Sequence, residues 1–463
     1  MRLQFGWADN DSKFIIGDAE VTADGTFYSP PSSLTSAVAE RMGPVGSLEK
    51  WKEVFALYGR PGLEPHAFAA LTGFGAPIFK FLGQRGAMIN VIHPNSGTGK
   101  TTILHMCNSI WGSPDGLCCV KEDTLNAKIM RLGMYNNLPY TVDEMTNMTS
   151  QDFSTLVYNI TQGRGKDRVK ASSNELRHNA TTWQTVALCS SNASFYEKMG
   201  VAKNSPDGEL MRLVEYKIDY SDALDPAFAK AMFDHQLMEN NGHAGRIYAA
   251  WLIANYERAK NTALNTQAKL DRELKLTQRE RFWSAVLAAN LTGGAIAKHI
   301  GLIDWDMSRI YEWACKMLLS LREDVEPPRN NAVEVIGDFI RRNMQSILVV
   351  NEEVDARSNM HAAPLLEPRN ELLIRWEPDT QKMYIAAKPF KKDCANFQIN
   401  YKETMRYLSE KGVLTGKIVK RMNKGMKMVA PPIYCLEFDT SSEEFFSVGD
   451  VVGVEAADAG REG

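Results

Sequence analysis

The sequence predicts an α/β protein: a mainly parallel sheet with helices on both faces, a helical region after it, and a C-terminal α+β domain. Three observations carry this expectation. Residues 88–93, MINVIH, form a short apolar run that leads through a glycine-rich loop, PNSGTGKTT, into an amphipathic helix ending near Trp111. Residues 138–144, LPYTVDE, read as a second buried strand, ending in two acids. Residues 183–192, WQTVALCSSN, read as a third, ending in Asn192. Strands alternating with helices build parallel sheets, because parallel neighbours need a crossover between them.

The other segments follow in order. Residues 1–45 form an irregular or β segment, with turn residues at Gly25, Ser29, Pro30, Pro31 and Ser32. Residues 46–83 read as helical: Ser47 caps a run through Trp51 and Phe55, and a second run starts after Pro65. The sheet-bearing core is expected at 84–225 and a helical domain at 226–325, closed by the break Glu326-Pro-Pro-Arg. Residues 330–445 mix helices, strands and basic residues. A helical run, YKETMRYLSEKG, leads to a short strand, a basic turn through Lys417, Lys420, Arg421, Lys424 and Lys427, and the strand PPIYCLEF. That order reads as a winged helix whose basic wing touches duplex or forked DNA, with a charged docking surface as an equal alternative. Trp376, Tyr384 and Phe390 read as core, and residues 446–463 as a fraying tail.

Bulk properties narrow the class. At 463 residues, 44% hydrophobic and 24% charged, the chain suits a soluble protein of two or three domains. A net charge of -3 excludes a blanket of positive charge but leaves room for a local basic strip. The seven cysteines, at 107, 118, 119, 189, 315, 394 and 435, include no C-x-x-C pair. Reduced, mostly buried thiols are expected, not disulfides or zinc. His93 reads as packed structure, and His235, His243 and His299 lack metal spacing. The opening MRLQFGWADND has no leader pattern, and apolar stretches such as Ile247–Ile253 are too short to span a bilayer. A cytoplasmic protein without membrane contact is the expectation.

The loop at 94–101 fits G-x-x-x-x-G-K-[ST], except that Pro94 stands at the first glycine. Such a P-loop turns backbone N–H groups inward onto an anion, at the positive end of a helix. Asn95, Ser96, Gly97, Thr98, Gly99, Lys100, Thr101 and Thr102 are therefore expected to bind ATP, with Lys100 on the terminal phosphates. Thr101 and Asp143 would hold Mg2+, and Glu144 would orient and deprotonate the attacking water. Asn192 would lie between these elements and hold that water or the γ-phosphate; the simpler alternative is a cap on the turn that follows. Arg212, in GELMRLVEY, is the best candidate for an arginine finger, against a surface arginine paired with Glu209 or Glu215. Arg246, in GHAGRIY, is a weaker candidate for a lid-borne phosphate contact.

These pieces and their order resemble the AAA+ helicase domain of phage and prophage replication proteins, a superfamily 3-like group often fused to primases. FGW, GSLEKW, the P-loop followed by SIWGSP, NNLPYTVDEM, NITQGRGKDR, GELMRL, NNGHAGRIY, RERFW and GLIDWD carry the match, best over about 45–320. The resemblance implies a ring, a hexamer, with ATP between subunits and DNA in a central channel. Pro94 departs from the pattern and bears on how tightly nucleotide is held. No primase module is visible, so a separate primase or polymerase partner is implied.

Between the acidic pair and the third strand, a β-ribbon is expected: DRVKA outward, SSNEL turning, RHNATTW returning. In superfamily 3 rings a hairpin inserted here projects into the channel. Lys166, Arg168, Lys170, Arg177 and His178 would grip single-stranded DNA through its phosphates, which permits movement without sequence preference. The alternatives are a solvated basic loop or a strip reaching the adjacent subunit's ATP. The leading expectation is an ATP-dependent helicase acting on single-stranded or forked DNA. The competing one is an AAA+ helicase loader or partner-remodelling ATPase without unwinding activity.

Overall fold

The protein is described here by a computed structural model covering residues 3–120, 123–165, 168–169, 176–177, 181–202, 207–325, 332–351, 364–397, 399–426 and 430–442. It divides into two units, residues 1–202 with 206–325, and residues 326–463.

The first unit opens with an antiparallel meander of β1 (Gly6–Ala8), β2 (Lys13–Ile16), β3 (Ala19–Thr22) and β4 (Gly25–Tyr28), in that spatial order. This stretch, expected as irregular or β, is ordered sheet. Its strands are too short to show clear alternation, and the turn Asp9-Asn10-Asp11 sits in left-handed conformation, which these side chains tolerate. Trp7 anchors the meander by donating its indole N–H to the Pro77 carbonyl at 3.0 Å.

After α1 (Ser36–Ala39) come α2 (Leu48–Ala56), α3 (Glu64–Ala70) and α4 (Thr72–Phe79). Ser47 caps α2 as its sequence suggests, accepting from the Lys50 amide. Next are β5 (Gly86–Ile92), α5 (Lys100–Ser109), α6 (Leu125–Tyr135), β6 (Tyr140–Val142) and α7 (Ser150–Gln162). A two-stranded ribbon of β7 (Arg168–Val169) and β8 (Leu176–Arg177) precedes β9 (Thr185–Ser191). Then follow α8 (Phe195–Ala202), α9 (Asp207–Leu210) and β10 (Leu213–Lys217).

The central sheet has the order β10-β5-β9-β6, every pair parallel. β9 is buried at every position and β5 at all but its last, as strands covered on both faces should be. Beyond β6, Cys119 continues the pattern: its amide donates to Thr141 and its carbonyl accepts from Asp143. β10 was not foreseen as a strand, because five residues after a helical turn carry little periodicity.

The helices α10 (Pro226–Lys230), α11 (Leu237–Glu239), α12 (His243–Ala254), α13 (Tyr256–Glu273), α14 (Arg281–His299) and α15 (Met307–Val325) complete the unit. Residues 226–325, expected as a helical domain, share one hydrophobic core with the sheet. The tightest seam is α14 against α4. A Cβ on Gly293 would stand 2.6 Å from the Phe74 carbonyl carbon, so only glycine allows the two backbones to touch. No described helix is long and apolar enough to cross a membrane.

The second unit contains α16 (Ala332–Arg342), β11 (Ile347–Val349), β12 (Ile374–Glu377), β13 (Lys382–Ala386), α17 (Ala387–Asn396), α18 (Tyr401–Glu410), β14 (Leu414–Lys420) and β15 (Ile433–Asp439). Its sheet runs β11-β12-β13-β15-β14 and is antiparallel except for β11 with β12. Phe339, Phe390, Leu408, Ile385 and Phe438 form its core. Tyr384 is likewise buried, and Trp376 packs at the edge of that core.

Candidate nucleotide-hydrolysis site

All four central strands run the same way, so the residues that follow them gather at one edge of the sheet. In open parallel sheets that edge, outside the carboxyl ends of the strands, is where ligands sit. β5 delivers residues 93–100, β6 delivers Asp143 and Glu144, β9 delivers Asn192, and β10 delivers Asp219 and Tyr220. Because β9 lies between β5 and β6, its end falls between the loop and the acids.

The loop at 94–99 wraps the start of α5. Gly97 and Gly99 have φ of 82° and 91°, a region that suits glycine. Gly99 is the N-cap of α5 and supplies no side-chain cap, which leaves the first-turn amides open to an anion. Lys100, buried beneath the loop, donates to the carbonyls of His93 at 2.8 Å and Asn95 at 2.7 Å. Burial holds its ammonium below the ordinary lysine pKa, while the carboxylates of Glu144 and Asp143 favour its charge.

Three residues brace the loop that motif reading passed over. His66, from α3, meets the Thr98 carbonyl through Nε2 at 3.0 Å, and burial lowers its pKa, keeping the ring neutral. Tyr220 donates its hydroxyl to the Ser96 carbonyl at 2.7 Å. His93 accepts the Asn95 amide on Nδ1 at 3.0 Å and stands edge-on to the Tyr220 ring, so its packed role is specific to the loop.

The acidic pair is held from β9. Thr101 donates its hydroxyl to Asp143 Oδ2 at 2.9 Å, which brings together the two residues expected to hold Mg2+. Ser190 donates to Asp143 Oδ1 at 2.5 Å and accepts the Glu144 amide at 3.0 Å. Glu144 has φ of 55°, a conformation costly for a residue with a side chain and typical of functional positions. Asn192 donates to Glu144 Oε2 at 3.5 Å, and its amide donates to Thr146 Oγ1 at 2.7 Å. The cap of α8 is Ser194, which accepts the Glu197 amide at 3.2 Å. A cavity of about 320 Å³ opens beside Glu144, lined also by Val142, Lys128, Met148 and Asp152.

Arg212 and Arg246 lie elsewhere. The Arg212 carbonyl accepts the Met88 amide at 3.0 Å, near the opposite end of β5 from the loop, about 13 Å away by strand rise. Its guanidinium sits 5.0 Å from the Tyr158 ring and 5.1 Å from the Phe282 ring and donates to the Gly208 carbonyl. Glu215 instead accepts from Asn90 at 2.7 Å and from the Phe195 amide at 2.9 Å, and Glu209 accepts the Ser154 hydroxyl at 2.7 Å. Arg246 faces Asp18 at 3.6 Å, beside the far end of α5, about 15 Å from the loop by helix rise. Neither arginine reaches the cradle of its own chain.

The ribbon leaves the core between α7 and β9, with Arg168 paired to Arg177 in register and Arg164 to Thr182 at its base. Lys166, Lys170 and His178 lie outside the described residues. All seven cysteines are unpaired, six of them buried.

Comparison with known proteins adds to this geometry. Residues 1–180 match a family described as a domain of unknown function, DUF927. No curated protein matches the sequence. A solved structure described as "SCCmec type IV Cch - active helicase" is similar with a TM-score of 0.58 and 18% identity, covering 94% of this chain and 79% of that chain. At that identity the likeness is one of fold alone: a mixed α/β architecture with a parallel central sheet.

Proposed function

We infer that the chain is an ATP-hydrolysing DNA helicase or translocase that moves on single-stranded or forked DNA as a ring of identical subunits, hexameric by the resemblance. The observation that carries this reading is the unbroken run of contacts from Thr101 to Asp143, through Ser190 to Glu144 and on to Asn192, with Lys100 beside it.

Residues 95–102 fit a triphosphate because the loop amides and the uncapped start of α5 offer donors to an anion. Lys100, now satisfied by two loop carbonyls, would transfer its hydrogen bonds to the terminal phosphates. Thr101 and Asp143 would hold Mg2+, which neutralises charge on the phosphate oxygens. Glu144 would take the proton of a water as that water's oxygen bonds to the γ-phosphorus and the bond to ADP breaks. Asn192 would keep the carboxylate aimed at that water. Arg212 would act across a subunit interface, since its own cradle is out of reach. Arg168 and Arg177, with Lys166, Lys170 and His178, would grip the strand phosphates. The order of α16, α17 and α18 with β13, β15 and β14 supports a winged helix in the second unit. Phage-type replication and a separate primase or polymerase are carried by the resemblance, and a cytoplasmic setting fits that role.

The test is steady-state ATP hydrolysis with and without single-stranded DNA, alongside unwinding of a forked duplex. Lys100→Ala should abolish hydrolysis and unwinding, and Glu144→Gln should hold ATP without turning it over. Turnover in Lys100→Ala equal to the parent would end this reading. DNA-independent turnover in the parent would favour the loader or remodelling alternative.

A further inference from the structure

We propose that the second unit binds the junction between duplex and single-stranded DNA on its β14–β15 hairpin. Tyr434 and Val419 would pack on the exposed base, and Lys391 and Lys417 would sit on the flanking phosphates.

Charge points there first. Between Glu410 and Glu437 the chain carries six basic residues, at 411, 417, 420, 421, 424 and 427, and no acidic one. Several cations of the unit are matched: Lys382 with Glu437 at 3.2 Å, Arg342 with Asp393 at 2.7 Å, Arg406 with Glu410 at 3.6 Å. Among the described residues Lys391, Lys402, Lys417 and Arg421 have no such carboxylate. Lys391 of α17 and Lys417 of β14 converge on the Tyr401 ring, and two such cations side by side call for an anion.

The hairpin is also built to stay in place. Lys420 reaches Glu377 at 2.7 Å and lies over the Tyr384 ring. Glu377, 1% exposed, also takes the Arg375 Nε at 2.5 Å, and Arg375 donates to the carbonyls of Met422 at 3.1 Å and Lys424 at 2.5 Å. This buried cluster ties the connection between the strands to β12. A buried charge left without these partners would be costly, so the geometry is strongly held.

The exposed face then offers shape. Strand alternation puts Lys417 and Val419 on one side of β14, and Val419 pairs with Tyr434 of β15. Tyr434 is 74% exposed and Val419 55%. Tyr401, at the start of α18, extends the strip, with the ammonium groups of Lys391 and Lys417 each 5.9 Å from its ring. Two exposed apolar side chains fall far short of the roughly 800 Å² per partner that a stable protein interface buries. They do match one base. Base faces are open only where stacking is interrupted, which selects a junction over continuous duplex.

The inference needs DNA as the track but neither nucleotide nor the hydrolytic residues. The test uses the full chain without nucleotide, a forked duplex carrying 2-aminopurine at the junction, and a continuous duplex of equal length. Tyr434→Ala should lose about fivefold or more of the fork affinity, the lower end of stacking on one base. It should also lose the fluorescence quench, leave continuous duplex unaffected, and be rescued by Tyr434→Phe. Lys391→Ala with Lys417→Ala should weaken both DNAs and reduce the salt slope by about 2. Fork affinity and quench in Tyr434→Ala equal to the parent would overturn the inference, whether the face is merely solvated or meets an acidic protein. Lys100→Ala separates the two readings. Hydrolysis unaffected there, with junction binding present, would sink the motor alone. DNA-stimulated hydrolysis in the parent without a Tyr434 effect would sink this inference alone.

Discussion

Ser190→Ala is the most informative single change at the candidate site. The Ser190 hydroxyl donates to Asp143 Oδ1 at 2.5 Å and accepts the Glu144 amide at 3.0 Å, and the residue is 1% exposed. A hydrogen bond to a charged group is worth about 1.5–3 kcal/mol and a neutral one about 1 kcal/mol, so the folded state should lose about 2–4 kcal/mol. The same loss leaves the Glu144 amide with only Asp143 Oδ1 at 3.1 Å and so loosens the φ of 55° that aims its carboxylate. A misplacement near 1 Å costs about 100-fold. Because Asn192 still touches Glu144 at 3.5 Å, kcat should fall about 10- to 100-fold, between partial and full release. KM for ATP should stay nearly constant, since the loop at 94–100 loses nothing. Coupled-enzyme ATPase measurements and thermal melts of the same preparation separate the two effects. A variant that melts earlier yet keeps kcat within about twofold of the parent would refute the positioning role.

Three further outcomes are expected. Glu144→Gly should be more stable than Glu144→Gln by about 1 kcal/mol, because glycine adopts the left-handed conformation without strain; equal denaturation midpoints would contradict it. Gly293→Ala should cost about 1–3 kcal/mol or more, since the new methyl would stand 2.6 Å from Phe74 and 2.7 Å from the Gly75 nitrogen on α4; an unchanged urea midpoint would show that the helices part freely. For Glu280, burial pushes its carboxyl up, but Arg322 and the Thr277 amide and hydroxyl more than offset this, leaving it below its ordinary 4.5. The stabilisation is therefore complete above about pH 4.5 and lost as pH falls through the folded value. The melting gap between parent and Glu280→Gln should narrow below pH 4.5, and a gap constant down to pH 3 would show that the pair contributes no proton linkage.

Local chemistry made much of the site legible. Gly97, Gly99, Lys100 and Thr101 announce an anion cradle because loop conformation, charge and hydroxyl are all properties of single residues at short spacing. The apolar runs at 88–93 and 183–192 announced buried strands for the same reason, and Asn192 stands where the second was expected to end. Ser47 caps α2 through a contact three residues away, which a linear reading can see. The meander at 6–28 and the strand β10 escaped because their pairing partners, and not their own periodicity, make them strands.

What the chain determined on its own was therefore the inventory: the glycine-rich loop, the acidic pair, the asparagine at 192, helices and basic turns, each set by interactions within a few residues. Tertiary structure decided which of them meet. Ser190 and Tyr220 acquire their roles only because parallel register and the order β10-β5-β9-β6 carry them to one edge, and His66 because α3 packs against α5. By the same geometry Arg212 and Arg246 end at least a dozen ångströms from the cradle they follow in sequence, since a strand or helix run end to end separates its termini by its full length.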